Sequence, residues 1–235
     1  MTFTSSPWIA VFFGMLALSP VHAGMTPQEV SWFKDAKEWA EKGEAEGQCS
    51  LGICYFKGEG VAKDDVQAAA WWRKAALQGN ARAQTLLGHA YFFGEGVPQD
   101  QGQAVSWYRQ AAEQGLAEAQ YNLGSHYADG KGVALDFVQA VKWYRQASEQ
   151  GYVLAQFNLG GCYANGEGVA KDQIEAYAYW NQGTVEYARK KLAALEKQMT
   201  ADQIADGQKR TKVLKKEIAA KIAAKTAEDE KKAGK

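Results

Sequence analysis

Apolar residues in the middle of the chain recur at helical spacing. Ala83, Leu87 and Tyr91 stand four apart on one face, and Ala104, Trp107, Tyr108, Ala111 and Ala112 form a second such stripe. Between them lies Gly94-Glu95-Gly96-Val97-Pro98, where glycines permit positive φ and the proline cannot continue a helix. Asp100 with Gln103 three residues later reads as a capping box: the Asp oxygen accepts from an orphan backbone N–H, and the glutamine reaches back. Gly115 ends the second helix. The pattern predicts helix A, loop, helix B and turn.

That unit returns every 36 residues. The glycines recur as Gly52, Gly88, Gly124 and Gly160, the tyrosines as Tyr55, Tyr91, Tyr127 and Tyr163, and the aspartates as Asp64, Asp100, Asp136 and Asp172. A period of this length specifies an all-α solenoid of stacked helix pairs and tilts function towards binding rather than chemistry. A glycine such as Gly88 inside helix A costs about 1 kcal/mol against alanine, and its recurrence predicts a neighbour too close for a side chain.

The ends of the array depart from the pattern, as a solenoid needs to close its apolar faces. Pro27 to Lys42 reads as a lone helix B, and Tyr179-Trp180-Asn181-Gln182-Gly183 reaches its glycine about one turn early. Thr184 to Gln198 reads as a helix. Thr200-Ala-Asp-Gln203 caps another, running through Ile204, Val213, Leu214, Ile218 and Ile222, and the stretch beyond Lys225 is expected to be disordered. The expected organisation is a signal peptide (1–23), a capping helix (24–43), four units (44–79, 80–115, 116–151, 152–188) and a helical, basic extension (189–235).

Ala-x-x-x-Leu-Gly-x-x-Tyr-x-x-Gly-x-Gly-Val, followed by Ala-x-x-Trp-Tyr-x-x-Ala-Ala-x-x-Gly, resembles the Sel-one-like repeat (SLR) family, a relative of the tetratricopeptide repeats. The resemblance covers residues 44 to about 188. It implies a right-handed superhelix of paired antiparallel helices that acts as an adaptor or scaffold, often in exported bacterial proteins.

Trp8 to Leu18 is an apolar core too short to span a bilayer comfortably; Pro20 and the small-residue site Val21-His22-Ala23 follow. No Lys or Arg precedes it. The expectation is a cleaved signal, a mature chain beginning near Gly24, and a periplasmic or secreted protein with no transmembrane segment after cleavage. Twenty-seven basic and 27 acidic residues balance, which gives no case for nucleic acid. The balance hides a basic end: ten Lys/Arg against four Asp/Glu from Gly207 to Lys235, where weak contact with an anionic surface is a secondary expectation.

Chemistry finds little support. Cys49 and Cys54, five apart on one helix, point in different directions, and Cys54 and Cys162 hold one slot three repeats apart, so all three read as buried thiols. Ser31-x-x-Lys34 matches one element of penicillin-interacting enzymes without its companions. The paired cysteines of the β-lactam-binding branch of the repeat family are missing. His89 and His126 form no i, i+4 pair, which argues against a metal, and His126 shares a slot with Cys54, Ala90 and Cys162, a packed position. No cofactor motif is found.

What remains is surface. Opposite the Ala83/Leu87/Tyr91 face, Phe56, Thr85, His89, Phe92, Tyr121, Ser125 and Phe157 are expected to line a concave groove, with Cys49, Ile53, Ala128, Gly161 and Ala164 completing the column. Function is expected to be that of a scaffold binding a protein or peptide partner there, with no catalysis. The alternative is an enzyme or a binder of cell-wall or β-lactam-type ligands.

Overall fold

A computed structural model describes residues 25–182 and 186–234. They form helices α1 (Pro27–Glu41), α2 (Ala45–Lys57), α3 (Asp65–Leu77), α4 (Ala81–Phe93), α5 (Gln101–Glu113) and α6 (Ala117–Asp129). Then come α7 (Phe137–Glu149), α8 (Val153–Asn165), α9 (Gln173–Trp180), α10 (Glu186–Glu196) and α11 (Ala201–Ala233). There is no strand among the described residues, and the chain is the expected all-α solenoid: α2/α3, α4/α5, α6/α7 and α8/α9 are four successive A/B pairs. The expected signal segment and Gly183 lie outside the described residues.

Each helix B begins where its aspartate predicts. Asp64, Asp100, Asp136 and Asp172 are N-caps whose carboxylates accept from the backbone N–H three residues on, at 2.9–3.0 Å. The second half of the capping box is absent. The backbone N–H of each capping Asp already donates to the carbonyl of the helix-A tyrosine, Tyr55, Tyr91, Tyr127 and Tyr163, at 2.9 Å. The glutamine therefore has no free donor to reach. The reciprocal box does form at Thr26/Glu29 and Thr200/Gln203, which begin the two terminal helices.

Two glycine columns set the packing. A Cβ at Gly52, Gly88, Gly124 or Gly160 would fall 2.5–2.8 Å from the ring of Trp72, Tyr108, Tyr144 or Trp180. The close neighbour is thus the large aromatic of the same unit's helix B. Gly60, Gly96, Gly132 and Gly168 press instead on the backbone that opens the preceding helix B; at Gly96 a Cβ would stand 1.9 Å from the Asp65 carbonyl oxygen. Gly60 presses in the same way on Glu29, so α1 occupies a helix-B place, as expected. Leu51, Leu87, Leu123 and Leu159 run through the centre, all fully buried.

The end of the chain corrects one expectation. Residues beyond Lys225 continue α11 as helix to Ala233, supported by a Lys232–Glu228 pair one turn apart at 2.7 Å. α11 packs along the array. Gly207 lies against the Tyr177 ring, Leu214 and Ile218 are buried, Lys221 pairs with Glu149 at 2.5 Å, and Lys225 donates to the Gly115 carbonyl at 3.2 Å.

Candidate interaction surface

The helix-A positions opposite the packing face separate into three groups. His89, Phe92, Tyr121 and Ser125, from α4 and α6, meet around one pocket of about 150 Å³ floored by Tyr108 and His126. Phe56 belongs to a neighbouring cleft of about 380 Å³, which shares His89 and Phe93 with the first. Ile53, Ala128, Gly161 and Ala164 are half-buried, whereas Thr85 and Cys49 are closed. Thr85 is buried with its hydroxyl donating to the Ala81 carbonyl at 3.0 Å, and Cys49 is likewise buried, because stacked neighbours cover that level of the helix. Phe157 stands apart: Tyr187 of α10 meets it edge-on, with centroids 4.4 Å apart, and Leu192 and Leu195 join the same cluster.

Phe93 was not among the expected residues, yet it is the most exposed large aromatic on this face, at 59%. It forms the wall between the two clefts and packs edge-to-face on Phe92 with centroids 4.7 Å apart. Its counterparts Lys57, Asp129 and Asn165 are polar, and a phenylalanine in an otherwise polar slot was the available signal.

The polar groups are fixed. The His126 Nδ1–H donates to the Lys131 carbonyl at 2.7 Å, and His89 Nε2 lies 3.1 Å from the Asn122 amide. Burial, opposed by nearby carboxylates, holds both imidazoles below their ordinary pKa, so both are neutral at pH 7. Ser125 Oγ donates to the Tyr121 carbonyl at 3.1 Å and accepts from the Tyr144 hydroxyl at 3.2 Å, which leaves it no partner for proton transfer. Burial pushes the thiols of Cys49, Cys54 and Cys162 up to about 11, the protonated, unreactive form at pH 7. Ser31 and Lys34 are exposed on α1, away from either cleft. Among the described residues no group of His, Cys, Asp and Glu is placed to hold a metal ion, and no helix is long and apolar enough to cross a membrane.

The arrangement is two adjoining aromatic clefts across successive repeats, of a size to hold side chains of another chain. On α11, Arg210, Lys221 and Lys225 are engaged with the repeats, whereas Lys209, Lys212, Lys215 and Lys216 are exposed.

A family model described as Sel1 repeat matches residues 45–80, 81–116, 117–152 and 153–183. Among solved structures, the chain is 35% identical to a protective antigen of uropathogenic Escherichia coli displaying an SLR fold, with a TM-score of 0.75; the match covers 83% of this chain and 43% of that one. A Sel1 repeat protein from Oxalobacter formigenes is 32% identical over 69% of this chain and 48% of its own, with a TM-score of 0.64. The chain thus spans less than half the length of each. No curated protein matches it. Sel1 repeat proteins generally mediate protein–protein interaction. With four successive matches on four helix pairs, the chain belongs to the Sel1 repeat family.

Proposed function

We propose that the chain is an exported adaptor that holds a protein or peptide partner on the helix-A face of α4 and α6. The observation that carries this reading is Phe93, an exposed aromatic standing between two clefts on an otherwise polar rim. Aromatic side chains left in water beside preformed pockets are the usual anchors of protein interfaces. Export rests on the Trp8–Leu18 apolar core and the Val21-His22-Ala23 site.

Capture from envelope extracts with the wild-type chain, repeated with Phe93→Ala/Tyr121→Ala, tests the adaptor reading. A partner retained by the first and lost by the second supports it. A partner retained equally by both, with the variant folded by circular dichroism, removes the cleft from the proposal. N-terminal sequencing of the exported chain should return Gly24 or a close neighbour, and recovery of Met1 or Thr2 overturns the export reading.

A further inference from the structure

The cleft beside Phe93 has a chemical character of its own. Phe56, Trp72 and Phe93 give it aromatic walls, and Glu95 and Glu118 stand in its lining. Neither carboxylate forms an ion pair with a Lys or Arg among the described residues. The contact of Glu118 nearest in charge is His89 Nε2 at 3.6 Å, and that imidazole, desolvated by burial, is neutral at pH 7. Glu59, the counterpart of Glu95 one repeat earlier, meets Lys57 at 3.3 Å, and Asp129 meets Lys131 at 2.7 Å, whereas Glu167, the counterpart in the last repeat, makes no ion pair among the described residues. Arg82, one turn before Leu86 on α4, makes no ion pair with either glutamate.

Two uncompensated carboxylates beside aromatic rings are the complement of a cation with a partly apolar stem. Rings attract the charge through their quadrupole, and carboxylates accept its N–H groups. The wall already holds one cation: Lys63 Nζ lies 5.3 Å from the Phe56 ring centroid, steadied by Asp65 at 3.4 Å. We propose that this cleft recognises an Arg or Lys side chain of the partner, while the adjoining His89–Tyr121 pocket takes an apolar or aromatic neighbour from the same peptide. The proposal rests on the adaptor reading and adds the chemistry of the partner to it.

A random-peptide phage library panned on the full chain is the probe. Enriched sequences should place Arg or Lys within a few residues of an aromatic or large aliphatic side chain. A synthetic peptide of that sequence should lose on the order of tenfold in affinity to Glu95→Gln/Glu118→Gln, and a peptide with its basic residue replaced by Gln should lose as much. The two changes together should cost little more than either alone. Enriched peptides without basic residues, or indifferent to Glu95→Gln/Glu118→Gln, overturn the cation proposal and leave the adaptor reading in place. Peptides that bind Phe93→Ala/Tyr121→Ala as well as they bind the wild type, or a library with nothing enriched on the wild type over that variant, overturn both.

Discussion

Gln114 donates its Nε2 to the Oε1 of Gln84 at 2.7 Å, from the end of α5 to the α4 helix of its own repeat. The same bond recurs as Gln78 to Gln48 and Gln150 to Gln120, each at 2.8 Å. Gln84 in turn donates to the Ala76 carbonyl at 3.1 Å, and Gln120 to the Ala112 carbonyl at 3.2 Å, where the preceding helix B runs out of intrahelical partners. A buried glutamine thus ties three helices at Gln84 and again at Gln120. Removing one takes the second donor from a buried carbonyl, which keeps the backbone N–H of Gly79 or Gly115, and takes the acceptor from the following glutamine, so two hydrogen bonds between helices are lost.

Gln84→Leu is therefore expected to destabilise the fold by about 1–3 kcal/mol despite the added apolar area. Chemical denaturation followed by circular dichroism measures it. Gln114→Ala, at an exposed position, should cost less, and the double variant less than the sum, because both act on one bond. Strict additivity would show that the ladder contributes nothing as a unit.

The two kinds of loop glycine should separate sharply. Gly96 has φ +70° and its Cβ would overlap the Asp65 carbonyl of the preceding repeat, whereas Gly79 has φ +86° with nothing within 4 Å. Gly79→Ala pays only the left-handed backbone cost of about 1–2 kcal/mol. Gly96→Ala must in addition push two repeats apart, and about 3 kcal/mol or more is expected. Equal melting temperatures for the two variants would refute the idea that the second loop glycine sets repeat stacking.

How these features relate to the sequence follows from their range. The aspartate caps and the glycine stops are local chemistry, so periodicity alone placed every helix B start. The missing half of the capping box depends on a bond from Asp100 N to Tyr91 O, across a loop, which no three-residue motif encodes. Helical phase put Thr85 and Cys49 with Phe56 and Tyr121, and phase cannot tell which levels of a helix a stacked neighbour covers. Gly207 sits against the Tyr177 ring, a contact between distant parts of the chain that no local pattern carries. The charge-rich end read as disordered for want of apolar residues, yet a helix already anchored at Leu214 and Ile218 needs only propensity and side-chain pairs to continue.

Acid should loosen the cleft. Desolvation holds His89 and His126 below their unfolded value in the folded chain, with Glu118, Glu95 and Asp129 opposing it. A depressed histidine pKa means the unfolded state binds more protons as pH falls, so stability is full above about pH 6.5 and declines as pH drops through the folded pKa values. The thermal midpoint should fall between about pH 7.5 and 5.5, before most carboxylates titrate. His126→Asn, whose amide can still donate to the Lys131 carbonyl, should flatten that slope. A slope unchanged in His126→Asn and in His89→Asn would assign the acid sensitivity elsewhere.

Cleft binding and binding through the basic α11 helix differ in how they meet salt. Deleting residues 207–235 would not separate them, because it removes Leu214 and Ile218 from the core along with the charge. Neutralising Lys209, Lys212, Lys215 and Lys216 to Gln changes only exposed side chains. If a partner is anchored in the aromatic clefts, Phe93→Ala/Tyr121→Ala should weaken it by about 2 kcal/mol or more, roughly thirtyfold, and the lysine variant should bind almost normally. Affinity should then fall only modestly from low to physiological salt, because the single cationic contact expected beside Glu95 and Glu118 is partly desolvated. If α11 carries the binding, the lysine variant should lose most of the affinity, and the salt dependence should be steep, since each exposed charge is screened over about 8 Å in physiological salt. Normal binding by a folded Phe93→Ala/Tyr121→Ala variant, together with a steep salt response, would move the interaction site from the clefts to the helix.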